Sequence, residues 1–280
     1  MPILSELNDA LIEHHLSYAD TRQAFLDMYF ERFSDQQSEY LNRLLADAAI
    51  RGLGFNNYQN SIETGEKHFI SSVLKEYRPK ICIDIGANVG EYSKLLLEET
   101  ESHVISFEPV PQPFMEMCTS LSAYGERFVG VNSGVGNKNK KLSINYNPDT
   151  TAFASFCPQI NEIHYVVNDH ILEVNVTTLD SYVEGNGIDC VDLIKIDVEG
   201  FELEVLIGAR DTIDYLKPKF IQLEFNLHQL IRGGSLYAYS KLLPDYEPYQ
   251  LLPGGWALRS PLDPIANIFC FSNFIFVRKS

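Results

Sequence analysis

The sequence predicts an α/β fold with a largely parallel sheet, an antiparallel pair of strands at its C-terminal end, and helices alone at its N-terminus. Three observations support this prediction. From Lys80 onward, short apolar segments typical of buried strands alternate with helical segments of roughly ten to fifteen residues, which is the pattern of βαβ units. The last two predicted strands have no helix between them, so they should run antiparallel. Before Lys80, apolar residues recur only at helical spacing.

Residues 1–76 form a predicted N-terminal helical appendage. Helical spacing continues over 40–50 and 67–77, and the segment 52–61 between them is rich in turn-forming residues. Because no strand is predicted here, we expect these helices to cover the mouth of a ligand site or to form a homodimer contact. The apolar residues at helical spacing in the first half are Leu4, Leu7, Leu11, Ile12, Leu16, Phe25, Met28, Tyr29 and Phe33.

Residues 77–280 form the second predicted domain, which contains the sheet. Its segment 141–146 alternates apolar and polar residues, as expected of an exposed hairpin arm. The strands predicted from short apolar runs are 81–85, 103–107, 128–131, 172–176, 192–196, 220–225, 249–252 and 268–277. The helices predicted between them are 91–99, 113–124, 201–216 and 227–243.

The composition excludes several classes of protein. A net charge of −16 leaves no cationic surplus for neutralising phosphates, so we expect no nucleic-acid partner. The longest apolar stretch, 265–277, is interrupted by polar residues, so we expect no membrane span. The first eight residues lack the basic region of a secretory signal, and the five cysteines form no C-x-x-C pair. We therefore expect a cytoplasmic protein with reduced thiols.

The sequence Asp84-Ile-Gly-Ala-Asn-Val-Gly90 follows the first strand and opens a helix. Glycines at such a turn let a ligand approach the backbone, and a helix N-terminus offers free N–H groups. The spacing differs from the G-x-G-x-x-G pattern of pyrophosphate binding, and the acid before the first glycine suits an ammonium or hydroxyl group better than a phosphate. For this motif alone, a tight turn without a ligand is the alternative.

Four predicted strands end in an acid: Asp84, Glu108, Asp197 and Glu224. Ligands of open α/β sheets bind outside the carboxyl ends of the strands, so these acids should meet at one crevice, with Glu108 placed to accept ribose hydroxyls. Lys195 lies inside an apolar strand and needs a buried partner, for which Asp84 and Glu224 are the candidates. The alternative is a buried ion network without a ligand.

The segment Ile83–Ser93 resembles the S-adenosylmethionine-binding turn of FkbM-type methyltransferases. The resemblance implies a Rossmann-like class I methyltransferase fold with S-adenosyl-L-methionine as cofactor. It extends from about residue 65 to the end through the segments 106–109, 178–180, 193–202, 221–226 and 271–277. The residues that it assigns to the cofactor are Asp84, Gly86, Asn88 and Gly90 for the methionine end, Glu108 for the ribose, and Ser133, Gly134 and Val135 for the adenine.

The resemblance also implies O-methylation. The segments 249–255 and 271–273 resemble family members associated with bacterial glycans, so a sugar or glycan hydroxyl is the first acceptor class and a polyketide-type natural-product hydroxyl the second. Two other functions stay open. One is a nicotinamide oxidoreductase, which the missing G-x-G-x-x-G disfavours, and the other is a noncatalytic binding module that keeps the fold.

The catalytic candidates are Asp197, Glu224 and His228. Asp197, like its neighbour Glu199, could orient the acceptor hydroxyl, act as a base, or ligate a divalent cation such as Mg²⁺ together with Glu224 and Asn226. We favour transfer without a metal, because few ligands can be assigned. The alternative for His228 is an ordinary residue at a helix start.

Overall fold

The computed structural model describes residues 18–279, which divide into two compact units, with the boundary in the chain between Leu53 and Gly54. The smaller unit contains helices α1 (Tyr18–Phe33) and α2 (Glu39–Gly52), in agreement with the helical spacing. The side chain of Asn42 joins them, because it accepts a hydrogen bond from the Tyr29 hydroxyl at 2.5 Å and donates one to the Phe33 carbonyl at 2.7 Å. The predicted helical positions from Leu4 to Leu16 lie outside the described residues.

The larger unit begins before the domain boundary that the sequence predicts after residue 76. Helix α3 spans residues 66–77, and its middle turn, Phe69–Leu74, is π-helical. Phe69, Ile70 and Leu74 are buried in the main core, where the Phe69 ring meets the edge of Phe220 with centroids 5.3 Å apart. Helix α3 is therefore part of the larger unit, since its apolar face packs on the sheet.

An eight-stranded sheet forms the centre of the larger unit, in the order β10-β9-β11-β8-β7-β1-β2-β3. The five strands from β8 to β3 are parallel, whereas β11 is antiparallel to both β8 and β9. The largely parallel sheet and its antiparallel C-terminal strands confirm the predicted fold class. The strands are β1 (Ile81–Ile85), β2 (His103–Phe107), β3 (Phe128–Val131), β7 (Leu193–Ile196), β8 (Phe220–Phe225), β9 (Tyr246–Leu252), β10 (Gly255–Leu258) and β11 (Ser272–Arg278).

A second sheet of three strands contains β4 (Gly134–Val135), β5 (Lys140–Tyr146) and β6 (His170–Thr177). Strands β5 and β6 pair antiparallel, which confirms the arm predicted over 141–146. The segment 147–169 joins them, and we call it the joining segment. It contacts the main sheet's carboxyl edge, because the Ser155 hydroxyl donates to the Glu199 carbonyl at 2.7 Å.

Two predicted connecting helices are broken, whereas the helix predicted over 91–99 has the predicted bounds. The helix predicted over 201–216 is two helices that break at Gly208, where a Cβ would overlap the backbone of Gly136. The helix predicted over 227–243 breaks at Gly233, which has a φ of +73°. The helices are α4 (Glu91–Glu99), α5 (Pro111–Leu121), α6 (Leu179–Gly185), α7 (Glu202–Ile207), α8 (Arg210–Leu216), α9 (Leu227–Arg232) and α10 (Leu236–Leu242). Within residues 18–279, every helix is too short or too polar to cross a lipid bilayer.

A row of buried polar residues crosses the main sheet in register. Ser106 on β2 pairs with Asp84 on β1, Asp84 with Lys195 on β7, and Lys195 with Gln222 on β8. Parallel strands that are covered on both faces are normally apolar throughout, so each of these side chains needs a polar neighbour within the protein. The row brings those neighbours together at one level of the sheet.

The Lys195 ammonium is the charged centre of this row. Its Nζ lies 2.9 Å from Oδ2 of Asp197, 3.6 Å from Oδ1 of Asp84 and 4.9 Å from the centroid of the Tyr92 ring. Burial lowers the pKa of Lys195, but the two carboxylates outweigh this effect and raise the pKa overall, so the ammonium stays charged. Asp84 is therefore a partner of Lys195, as expected, whereas the second partner is Asp197 and not Glu224.

We predict that Lys195→Met lowers the free energy of unfolding by about 3–5 kcal/mol, because it leaves the Asp84 carboxylate buried without a cation. The double variant Lys195→Met/Asp84→Asn should recover part of that loss, since the uncompensated charge is then removed as well. Urea denaturation measures both effects. Lys141→Met breaks an exposed ion pair with Glu173 and is the control, with an expected change of about 0–1 kcal/mol. A Lys195→Met protein as stable as the wild type would contradict the role of this ion pair.

Candidate active site

A cavity of about 390 Å³ opens at the carboxyl ends of the parallel strands. Six of the eight residues that the sequence assigns to a cofactor line it: Gly86, Asn88, Glu108, Ser133, Gly134 and Val135. Of the catalytic candidates, Asp197 and Glu224 line it and His228 does not. A neighbouring cavity of about 840 Å³ shares Gly86, Asn88, Asp197 and Glu224 with the first, so the acids lie where the two cavities meet.

The glycine turn after β1 brings three strands together. The N–H groups of Gly86 and Ala87 donate to the Phe107 carbonyl on β2 at 3.0 and 2.9 Å. Gly86 has a φ of +83°, and a Cβ there would overlap the Asp197 carbonyl at the end of β7. Glycine is therefore required at residue 86 both for its conformation and for the approach of β7.

Asp84 and Gly90 support this turn from behind and do not line the cavity. The Asp84 side chain has no exposed surface, and its Oδ2 accepts a hydrogen bond from the Ser93 hydroxyl at 2.6 Å. Gly90 begins α4 with a φ of +87°, and a Cβ there would lie 2.7 Å from the Met117 side chain on α5. Lys195 and α5 occupy the space around these two residues, and their direct contact with a cofactor stays a prediction.

Glu108 presents a buried carboxylate to the cavity and is only 6% exposed. Its Oε1 accepts the Val110 N–H at 2.8 Å, and its Oε2 accepts the Asn88 N–H at 2.9 Å. Burial raises the pKa of Glu108 to about 7, although these two hydrogen bonds oppose the rise. Each oxygen keeps a second lone pair, so the carboxylate can accept two further hydrogen bonds, as a diol requires.

Three carboxylates meet at the opposite wall of the site. Asp197, Glu199 and Glu224 each place an oxygen within 4.8 Å of the others. Their partners differ, because Asp197 is bound to Lys195 whereas Glu224 accepts a hydrogen bond from the Asn226 amide at 2.5 Å. Burial, and then the neighbouring carboxylates, raise the pKa of Glu224 well above its usual value. Glu224 is therefore the acid of this group that protonates most readily.

The His228 imidazole lies behind Glu199 and is 1% exposed. Its Nδ1 is 2.5 Å from Oε2 of Glu199, and the Asn226 side chain fixes the start of α9 by accepting the His228 backbone N–H at 2.7 Å. Burial lowers the pKa of His228, but its contact with Glu199 outweighs this effect and raises the pKa overall. His228 therefore reaches the cavity only through Glu199, which lines it, and a catalytic role for His228 stays a prediction.

Several wall residues come from segments without a catalytic motif. The sequence leaves two interpretations of the aromatic segment 151–172, an acceptor lid or an ordinary packed loop. Ile144, Thr151, Ala152, Ala154 and Phe156 come from β5 and the joining segment, which carries no charged or glycine-rich motif. Tyr58 and Phe271 also line the cavity, and their rings meet edge-on with centroids 6.0 Å apart. Tertiary packing brings these side chains to the cavity, so the sequence could indicate the segment 151–172 but not which of its residues line the wall.

Comparison with known proteins places the chain in a family. Residues 84–239, more than half of the chain, match the family described as the methyltransferase FkbM domain. The chain is 27% identical over 197 residues to the 2-O-methyltransferase NoeI of Sinorhizobium fredii, which covers 66% of this chain and 79% of that protein. It is 24% identical over 150 residues to the hexuronic acid methyltransferase AglP of Haloferax volcanii, which covers 53% of this chain and 58% of that protein.

Among solved structures, an O-methyltransferase from Bacillus cereus in complex with SAH aligns with a TM-score of 0.43 and 10% sequence identity. The alignment covers 90% of this chain and 96% of that chain, but a score of this size supports no functional inference. The family assignment therefore comes from the sequence match over the glycine turn and the strand-end acids. The chain belongs to the FkbM family of methyltransferases.

Proposed function

We propose that this protein is an S-adenosylmethionine-dependent O-methyltransferase that acts on a sugar hydroxyl. The observation that carries the proposal is a single cavity that joins Glu108, at the end of β2, to the carboxylates of Asp197, Glu199 and Glu224 at the ends of β7 and β8. A cofactor with a ribose diol at one end and a positively charged sulfur at the other suits these two acidic walls. Membership of the FkbM family supports methyl transfer, and the name of AglP supports a hexuronic acid or related sugar as acceptor.

We assign the cofactor's ribose to Glu108, its adenine to the segment 133–135, and its methionine end to the turn at Gly86 and Asn88. The chemistry of the donor set supports this assignment, because Glu108 offers two hydrogen-bond acceptors for a diol. The backbone N–H groups of Glu108 and Ser133 both donate to the Val131 carbonyl, at 3.1 and 2.9 Å, so the ribose and adenine positions are adjacent. Asp84 and Gly90 act on the cofactor indirectly, by holding the turn.

The bound cofactor supplies a methyl group on a positively charged sulfur. This chain must hold the acceptor hydroxyl in line with that group and take its proton. Asp197, Glu199 and Glu224 are the residues that we place at the hydroxyl. Their combined negative charge also favours binding of a cation at this wall, which matches the charge of the cofactor.

We propose that the transfer needs no divalent cation. The three carboxylates have the spacing of a metal site, but two of them already have a cationic partner. Lys195 lies 2.9 Å from Asp197, and His228 lies 2.5 Å from Glu199. A divalent cation would have to bind beside these two cations, and their repulsion weakens such a site.

The proposed function predicts binding of S-adenosylmethionine and no binding of NAD, both measurable by calorimetry. It also predicts methyl transfer to methyl glucuronide or methyl glucoside, which mass spectrometry of the product would detect. Absence of methyl transfer to either sugar, in a protein that binds the cofactor, would contradict the sugar acceptor. Binding of NAD in preference to S-adenosylmethionine would contradict the whole proposal.

We predict that Glu108→Ala weakens S-adenosylmethionine binding by about 1.5–3 kcal/mol, the range for hydrogen bonds to a charged group. The pKa of Glu108 is about 7, so the wild-type affinity should fall as the pH decreases through that value and the carboxylate gains a proton. Glu108→Gln should bind weakly without this pH dependence. Calorimetry at several pH values tests both statements, with the exposed Glu116→Ala as control. Unchanged affinity in a folded Glu108→Ala protein would exclude Glu108 from the cofactor site.

We predict that chelation leaves the activity intact, because Lys195 and His228 already neutralise two of the carboxylates. The measurement is methyl transfer after EDTA treatment and again after addition of Mg²⁺. In the same assay Asp197→Asn should lose roughly 10²–10⁴-fold in rate, since it removes a charge beside the reacting atoms. Activity that disappears on chelation and returns with Mg²⁺ would show that the acids bind a metal.

A further inference from the structure

Glu199 has an unusual backbone conformation. Its φ is +51°, in the left-handed region that residues other than glycine rarely adopt, and Gly200 follows with a φ of +93°. Such a conformation is unfavourable for a residue with a side chain and persists only where the surroundings hold it. The Glu199 carbonyl accepts the Ser155 hydroxyl at 2.7 Å, and Glu202 and Arg232 bind the N–H and the carbonyl of Gly200 at 3.1 and 3.2 Å. Three separate segments thus hold this residue in place.

This conformation fixes where the Glu199 carboxylate lies. The side chain lines the cavity and is 13% exposed, while its Oε2 is buried against the imidazole of His228. Oε1 is thus the oxygen left for an acceptor. The backbone of His228 is fixed by the capping box at the start of α9, in which Asn226 and Gln229 bind each other's backbone, and its imidazole is 1% exposed.

The other two acids are less suited to take a proton. Asp197 lies 2.9 Å from the Lys195 ammonium, so a proton placed on Asp197 would break the ion pair that stabilises this buried lysine. Burial, and then the carboxylates of Asp197 and Glu199, raise the pKa of Glu224 well above its usual value. Glu224 therefore protonates before the other two acids as the pH falls, and a protonated acid cannot act as the base. Glu199 combines two features that suit a base. Its Oε2 lies against the His228 imidazole, whose contact opposes the rise in pKa that burial causes, and its Oε1 is left for the acceptor.

We propose that Glu199 is the base that takes the acceptor's proton and that His228 is the residue that positions it. This proposal rests on the proposed function. As the acceptor oxygen bonds to the methyl carbon, its O–H bond breaks and the proton passes to Oε1 of Glu199, while the carbon–sulfur bond breaks with its electron pair left on sulfur. The proton on Nδ1 of His228 stays in place throughout.

His228 also sets the pH range in which Glu199 is ionised. Burial raises the pKa of Glu199, and the contact with His228 opposes that rise. A neutral residue at 228 removes this opposition, so Glu199 stays protonated to a higher pH. The other ionisable groups that act on this pair come from β7, β8, α7 and the joining segment: Lys195, Asp197, Glu224, Glu202 and Tyr165.

The first arm of the test measures kcat against pH with methyl glucuronide as acceptor. Glu199→Gln should still bind S-adenosylmethionine but lose roughly 10²–10⁴-fold in kcat at every pH, measured at saturating cofactor. His228→Gln should move the acidic limb of the profile upward by about one pH unit or more, as expected when a nearby opposite charge is removed. His170→Gln is the matched control, because it removes an exposed histidine that is paired with Asp169 at 2.7 Å, and it should leave the profile unchanged.

The second arm needs no acceptor. An NMR titration of the His228 ring should show a lower pKa in Glu199→Gln than in the wild type, since the cation has lost its partner. An unchanged His228 pKa would overturn the pairing, and full activity in Glu199→Gln would overturn its role as base. A folded His228→Gln protein with an unshifted profile would overturn the positioning role. Failure of the wild type to methylate any sugar concerns the proposed function instead, and the NMR titration still decides the pair.

Discussion

The Lys195 ammonium, buried between Asp84 and Asp197, is the interaction on which the rest of the site depends. A cation inside a parallel sheet is stable only with anionic partners, so it draws the end of β7 toward the turn after β1. Gly86 permits this approach, because any side chain there would overlap the Asp197 carbonyl. The ion pairs of Lys195 and the glycine at residue 86 thus determine how the glycine turn after β1 lies relative to the carboxylates at the end of β7.

The same principle explains why three carboxylates can share one cavity. Without partners, the three carboxylates would repel one another, and their transfer from water into the protein would cost a large amount of free energy. Asp197 has the Lys195 ammonium and Glu199 has the His228 imidazole as partner, while Glu224 reduces the repulsion by holding a proton more readily. The three acids are alike in the sequence but differ in the structure, because each has a different neighbour.

Much of this arrangement could be predicted from the sequence, since strands and strand-end acids are local patterns. The apolar runs located seven strands of the main sheet, and six of the eight predicted cofactor positions line one cavity.

The features that the sequence could not predict depend on contacts between residues that are distant in the chain. The Asp84 side chain is buried because it forms an ion pair with Lys195. The helix predicted over 201–216 breaks at Gly208, against which the Gly136 backbone packs. Strand β10 was missed because it is short and only partly buried. The left-handed conformation of Glu199 depends on Ser155, far away in the sequence.

The joining segment between β5 and β6 connects these features to the choice of acceptor. Thr151 donates a hydrogen bond to the Asn88 side chain in the cofactor turn at 2.8 Å, and Ser155 donates one to the Glu199 backbone at 2.7 Å. One stretch of chain therefore contacts both the proposed cofactor turn and the proposed base, and it also supplies part of the cavity wall. Loops on a rigid sheet change more freely than the sheet itself. If the acceptor binds in this cavity as proposed, we expect substitutions in this segment to alter which acceptor fits without disturbing the ion pairs beneath, provided that Thr151 and Ser155 keep their hydrogen bonds.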